Sequence, residues 1–66
     1  MQKIEFRVKD QKKLSKAIID ELPFLSSYEI RKLLANKDVK VNNIRTNIDK
    51  TLNSDDQVVV YYQGRE

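Results

Sequence analysis

The 66-residue chain is predicted to adopt an α+β fold, and three observations predict it. From Lys3 to Lys9, apolar residues alternate with charged ones, the period of a half-buried strand. Two successive stretches then carry apolar residues at helical spacing. Short alternating runs follow, separated by Asn42-Asn43 and by Asn53-Ser54-Asp55-Asp56, the composition of turns between antiparallel strands. The order is β-α-α-β-β-β. No parallel crossover is in evidence, so two helices should pack on one face of a small, mainly antiparallel sheet.

In the first strand, Ile4, Phe6 and Val8 fall on one side and Lys3, Glu5, Arg7 and Lys9 on the other. Asp10 can cap the next segment. Leu14, Ala17, Ile18 and Leu22 form the stripe of a helix running roughly from Gln11 to Leu22, with Pro23 as its stop. The second helix has the clearest start. Ser26 stands three residues before Glu29, the spacing of a capping box, and Leu25 and Ile30 have the spacing of a hydrophobic staple. Its buried face is Ile30, Leu33 and Leu34, and it should end near Asn36. Phe24 and Leu25 are expected in the corner between the helices.

Val39 and Val41 flank Lys40 in alternation, and Asn42 and Asn43 both tolerate the positive φ of a tight hairpin before Ile44 begins the return strand. Ile48 and Leu52 are expected in the core, on an irregular connection. In the last strand Val58, Val60 and Tyr62 share one face, and Val59 and Tyr61 the other. Residues 1–62 make one domain. Residues 63–66, which include Gly64-Arg65-Glu66, read as the start of a linker or a chain end. There are no repeats and no low-complexity segments.

Composition narrows the function. A chain this short buries only about 60% of its unfolded surface and is marginally stable. It has no cysteine and no histidine, so it lacks disulfides, thiolate metal ligands and the commonest general base. Enzymatic chemistry by this chain is not expected, and no catalytic residue, cofactor or metal site is read from it. No apolar run is long enough to span a membrane, and Met1-Gln2-Lys3-Ile4-Glu5 has no signal-peptide core. A cytoplasmic location is the expectation.

The net charge of +3 is spread unevenly. Residues 1–16 and 31–45 are basic, whereas 17–30 and 46–66 are acidic. Lys12, Lys13 and Lys16 crowd the expected start of the first helix, while Asp20 and Glu21 stand at its end, the reverse of what a helix dipole favours. Lys12 and Lys16 are four apart, and such like charges cost a few tenths of a kcal/mol. Charges set against local stability suggest an anionic partner, and phosphate fits. Arg31 and Lys32 point away from the apolar face of the second helix. With Lys37 at the helix end and Lys40 in the next strand, they could continue a patch for a phosphate backbone. Ser26 and Ser27 offer helix N-terminal N–H groups to a phosphate, and Asn42 lies in the adjoining hairpin. Tyr28 either packs on the first helix or stacks on an unpaired base. Each residue also has a plainer reading. Mixed charge keeps a small domain soluble, Ser26 is an N-cap, Arg31 and Lys32 are a solvated face, and Lys37 is a favourable C-terminal cation.

The spacing of five segments resembles the S4 RNA-binding domain. They are Lys13-Leu14-Ser15-Lys16-Ala17-Ile18, Leu22-Pro23-Phe24-Leu25-Ser26-Ser27, Ile30-Arg31-Lys32-Leu33-Leu34, Val39-Lys40-Val41-Asn42-Asn43 and Asp56-Gln57-Val58-Val59-Val60. The most specific part is the Val-x-Val-Asn hairpin at its distance from the second helix. The resemblance implies an S4-like (alpha-L) fold and binding of structured RNA, ribosomal RNA in the first place, through the two helices and the adjoining loop. The added first strand and the Leu-Pro-x-Leu-Ser stretch look most like the domain that precedes the catalytic domain of large-ribosomal-subunit pseudouridine synthases. The implied partner of the chain is thus a C-terminal catalytic domain carrying the isomerase chemistry. The chain departs from the family pattern at several points. Lys13-Leu14-Ser15 replaces Arg-Leu-Asp, and Ser27 stands where the family has a phosphate-binding arginine. Lys37, Asn43 and Asp55 replace glycines. Asn and Asp accept positive φ well and lysine poorly, so Lys37 is either strained or the helix ends differently.

Three alternatives accompany this reading. One is a standalone, ribosome-associated S4-like binder. Another is a protein-interaction module using Val59 and Tyr61 on the outer sheet face. The third is a regulatory domain of a tRNA synthetase, whose expected C-terminal position the initiating Met1 argues against.

Overall fold

The computed structural model describes residues 2–62. It is a small α+β domain in which two helices cover one face of an antiparallel sheet. Eight elements follow in order: β1 (Gln2–Arg7), β2 (Lys12–Lys13), α1 (Leu14–Glu21), α2 (Ser27–Ala35), β3 (Val39–Val41), β4 (Ile44–Thr46), β5 (Thr51–Leu52) and β6 (Gln57–Tyr62). The four longer strands form one sheet in the order β1-β6-β3-β4, with every neighbour antiparallel. The short β2 and β5 pair separately. The expected linker at 63–66 lies outside the described residues.

One core joins the layers. Leu14, Ala17, Ile18, Leu22, Leu25, Ile30 and Leu34 from the helical side meet Val39, Val41, Val58 and Val60 from the sheet, with Val8 and Leu52 closing the end. Ile4 and Phe6 of β1 pack against it, as the period-two alternation requires.

The second helix follows its local signals. The Ser26 hydroxyl accepts from the Glu29 N–H at 3.1 Å, and the Glu29 carboxylate accepts from the Ser26 N–H at 3.4 Å. Leu25 and Ile30 are both buried, the staple that fixes the entry of the chain. At its C-terminal end the Lys37 N–H donates to the Leu34 carbonyl and the Asp38 N–H to the Leu33 carbonyl. That pair of bonds is a Schellman motif, which places the residue after the cap in the left-handed region. Lys37 accordingly has φ 58°. Asn43 at 69° and Asp55 at 71° also take positive φ, as does Asn42 at 51°.

Several expectations need correction. The first helix begins at Leu14, not Gln11. Lys12 and Lys13 are extended, held by antiparallel pairing to Leu52 and Thr51, and the Leu14 N–H donates to the Lys50 carbonyl at 2.9 Å. Asp10 does not cap the helix; Asp49 does. Its carboxylate accepts from the Ser15 N–H and from the Ser15 hydroxyl, both at 2.9 Å. Ile48 is 64% exposed instead of buried, because it lies in the short stretch between β4 and β5 that turns outward, and only Leu52 of the expected pair reaches the core. Phe24 is half exposed and tilts against Tyr62 with ring centroids 5.9 Å apart, leaving Leu25 to fill the corner between the helices.

Candidate nucleic-acid interface

The basic residues do not form one continuous surface. They divide between the helical side of the domain and the uncovered face of the sheet.

On the helical side, two of the three lysines near the first helix are engaged. Lys12 Nζ lies 2.9 Å from one Asp20 carboxylate oxygen, and Lys16 Nζ lies 3.5 Å from the other. The hydrogen bond from Lys12, reinforced by Lys16, holds the Asp20 carboxyl below its ordinary range. The acid at the end of the first helix is therefore the counter-ion of the two lysines. Lys13 differs. It is exposed at the start of α1, and no described carboxylate lies within ion-pair distance of it. Its strand partner is Thr51, and the Lys50 carbonyl accepts from the N–H of the next residue, Leu14.

On the second helix, Ser27 and Arg31 line a groove of about 360 Å³ shared with Ser15, Ile19, Leu34 and Asp49. At the N-terminus of α1 the Ser15 N–H is taken by Asp49 and the Leu14 N–H by the Lys50 carbonyl. Ser26 is likewise spent on Glu29 through its capping box. Arg31 is exposed at the groove with no described ion-pair partner. Lys32 and Tyr28 lie together on the helix surface, with the ammonium 5.9 Å from the ring centroid. Tyr28 is 69% exposed, so it stands in solvent beside a cation and does not pack on the first helix.

Lys37 and Lys40 lie apart from these groups. Lys37 continues from α2 into β3, and its carbonyl accepts from the Arg45 guanidinium at 2.9 Å. Lys40 sits between the inward-facing Val39 and Val41, so its side chain is on the face of the sheet away from the helices. Directly across β4 stands Arg45, a second cation that the sequence reading did not single out. The two-residue turn implies that pairing, since Val41 opposite Ile44 puts Lys40 opposite Arg45.

Asn42 has a structural task. Its amide nitrogen donates to Asp56 at 3.2 Å, and its amide oxygen accepts from the Gln57 N–H at 3.0 Å. Asp56 also accepts from the Asn53 N–H at 2.9 Å. Bonds from the Asn53 backbone and the Asn42 amide hold the Asp56 carboxyl below its ordinary value. The network ties the β3–β4 hairpin to the turn before β6.

The outer sheet face does not present an apolar patch of Val59 and Tyr61. Val59 is only 6% exposed, and Tyr61 lies beneath two cations.

Among the described residues there is no group of three or more acidic side chains able to hold a metal, and no helix is long and apolar enough to cross a membrane. No protein-family model, curated protein or solved structure matches the chain.

Proposed function

We propose that this domain binds structured RNA through the basic surface of its helical hairpin, in the manner of an S4 domain that precedes a pseudouridine synthase catalytic domain. The observation that carries the reading is a difference in pairing. Asp20 and Asp49 are consumed within the fold, whereas Lys13 and Arg31 are left exposed without described carboxylate partners. Lys32 beside the exposed Tyr28 adds a cation and a stacking surface on the same helix. The order of the helical hairpin, the β3–β4 hairpin and the final strand supports the S4 comparison. So do the left-handed conformations of Lys37, Asn43 and Asp55, the positions where that family carries glycine.

On this reading Lys13, Arg31 and Lys32 contact phosphates, while Lys12 and Lys16 are held by Asp20. Ser27 supplies a backbone N–H and not a guanidinium, so affinity depends on the remaining cations. Recognition follows duplex shape and 2′-hydroxyls more than base sequence. The test is the double charge reversal Lys13→Glu and Arg31→Glu, titrated against a ribosomal RNA hairpin. Binding should be abolished while the circular dichroism spectrum and melting temperature are retained. Unchanged affinity would refute the proposal.

A further inference from the structure

The sheet face opposite the helices carries its own cationic cluster. By strand alternation, Lys3, Glu5 and Arg7 of β1, Val59 and Tyr61 of β6, Lys40 of β3 and Arg45 of β4 share this face. The pairing gives a continuous row, Glu5–Val59–Lys40–Arg45, crossing all four strands over about 14 Å. Lys3 stands opposite Tyr61. The carboxylate on β1 is occupied, since Glu5 lies 3.5 Å from Lys3 and accepts from the Gln57 amide at 3.0 Å. Lys40 and Arg45 have no described carboxylate within ion-pair distance, yet they stand directly opposite each other.

Like charges directly opposite on a sheet destabilise it. The protein relieves this in part by holding both over one aromatic ring, Lys40 at 5.5 Å and Arg45 at 5.8 Å from the Tyr61 centroid. Arg45 is further fixed by its bond to the Lys37 carbonyl. The outcome is a pair of cations positioned before any ligand arrives.

We propose that this face is a second phosphate-binding surface, which takes the backbone of a single-stranded nucleic acid across Lys40, Arg45 and Tyr61, with Lys3 and Arg7 extending it over β1. A cationic track beside an aromatic side chain on a sheet is the arrangement that suits an unpaired strand. The choice of nucleic acid rests on the RNA-binding reading, but the cations of this surface stand on β3 and β4 and not on the helices. The domain would thus hold a helix on one side and a flanking single strand on the other.

A labelled oligouridylate, followed by fluorescence anisotropy over a salt series, tests this with two variants. Lys40→Gln with Arg45→Gln should weaken oligouridylate binding about tenfold or more and lower the log–log salt slope by roughly 1.4, two phosphates' worth for a single strand. The helical variant carrying Lys13→Glu and Arg31→Glu should keep its oligouridylate affinity while losing the RNA hairpin. Lys40→Thr alone should weaken oligouridylate binding without loss of melting temperature, which separates an effect on binding from one on folding. Unaltered affinity and slope in the Lys40/Arg45 variant, or no oligouridylate binding by the unsubstituted domain, overturns the inference. Hairpin binding lost only in the helical variant would leave the proposed function standing in either case.

Discussion

Lys37 is the residue whose conformation conflicts most with its chemistry. The Schellman geometry at the end of α2 requires a left-handed residue there, and Lys37 adopts φ 58°. A side chain with a Cβ pays roughly 1–2 kcal/mol for this region, against which glycine's greater freedom in the unfolded chain offsets about 0.4–1 kcal/mol. Lys37→Gly should therefore stabilise the domain by about 0.5–1 kcal/mol and raise the melting temperature by a few degrees, as measured by thermal circular dichroism. Asp49 makes the reverse case. It supplies the cap that α1 lacks locally, so Asp49→Ala should cost about 1 kcal/mol in chemical denaturation. A loss near zero would mean that Ser15 finds an equivalent partner.

At the scale of elements, what could be read in advance follows the range of the signals. The second helix was legible because its cap, staple and apolar face lie within ten residues of one another. The Asn42-Asn43 hairpin was legible for the same reason. The start of the first helix was not, because Lys12 and Lys13 are held extended by Leu52 and Thr51 from the far end of the chain. That long-range pairing also brings the Lys50 carbonyl to the Leu14 N–H and Asp49 to Ser15. Periodicity along the chain carries no trace of either contact. The candidate site was accordingly half legible. The cationic residue types were visible, but their division between two faces follows from the sheet, and Arg45 enters only through register. The opposed pair Lys40–Arg45 carries a prediction at this scale. Lys40→Thr removes the repulsion and adds a strong strand former, so thermal melting at low salt should show equal or greater stability, and the gain should shrink as salt screens the charges.

For the molecule as a whole, acid should unfold the domain through its structural carboxylates. Asp20 and Asp56 both have depressed pKa values in the folded state, by the Lys12 hydrogen bond and by the Asn53 and Asn42 bonds respectively. A group of this kind stabilises the fold above its unfolded pKa, and the contribution is lost as pH falls through the folded value. Stability should thus hold near neutral pH and decline below about pH 4. Asp56→Asn should flatten that decline in a pH series of urea melts; an undiminished acid limb would assign the loss to other carboxylates. The two faces of the domain then give the fold its functional sense. Acids and amides knit the turns together, and cations that the fold does not neutralise are left on the surfaces. The most direct test of that account is the salt dependence of binding between the intact domain and a ribosomal RNA hairpin. Phosphate contacts through Lys13, Arg31 and Lys32 predict that log affinity falls linearly with log salt, by roughly 0.7–0.9 per contact. A salt-independent affinity, or no binding at low salt, would contradict it.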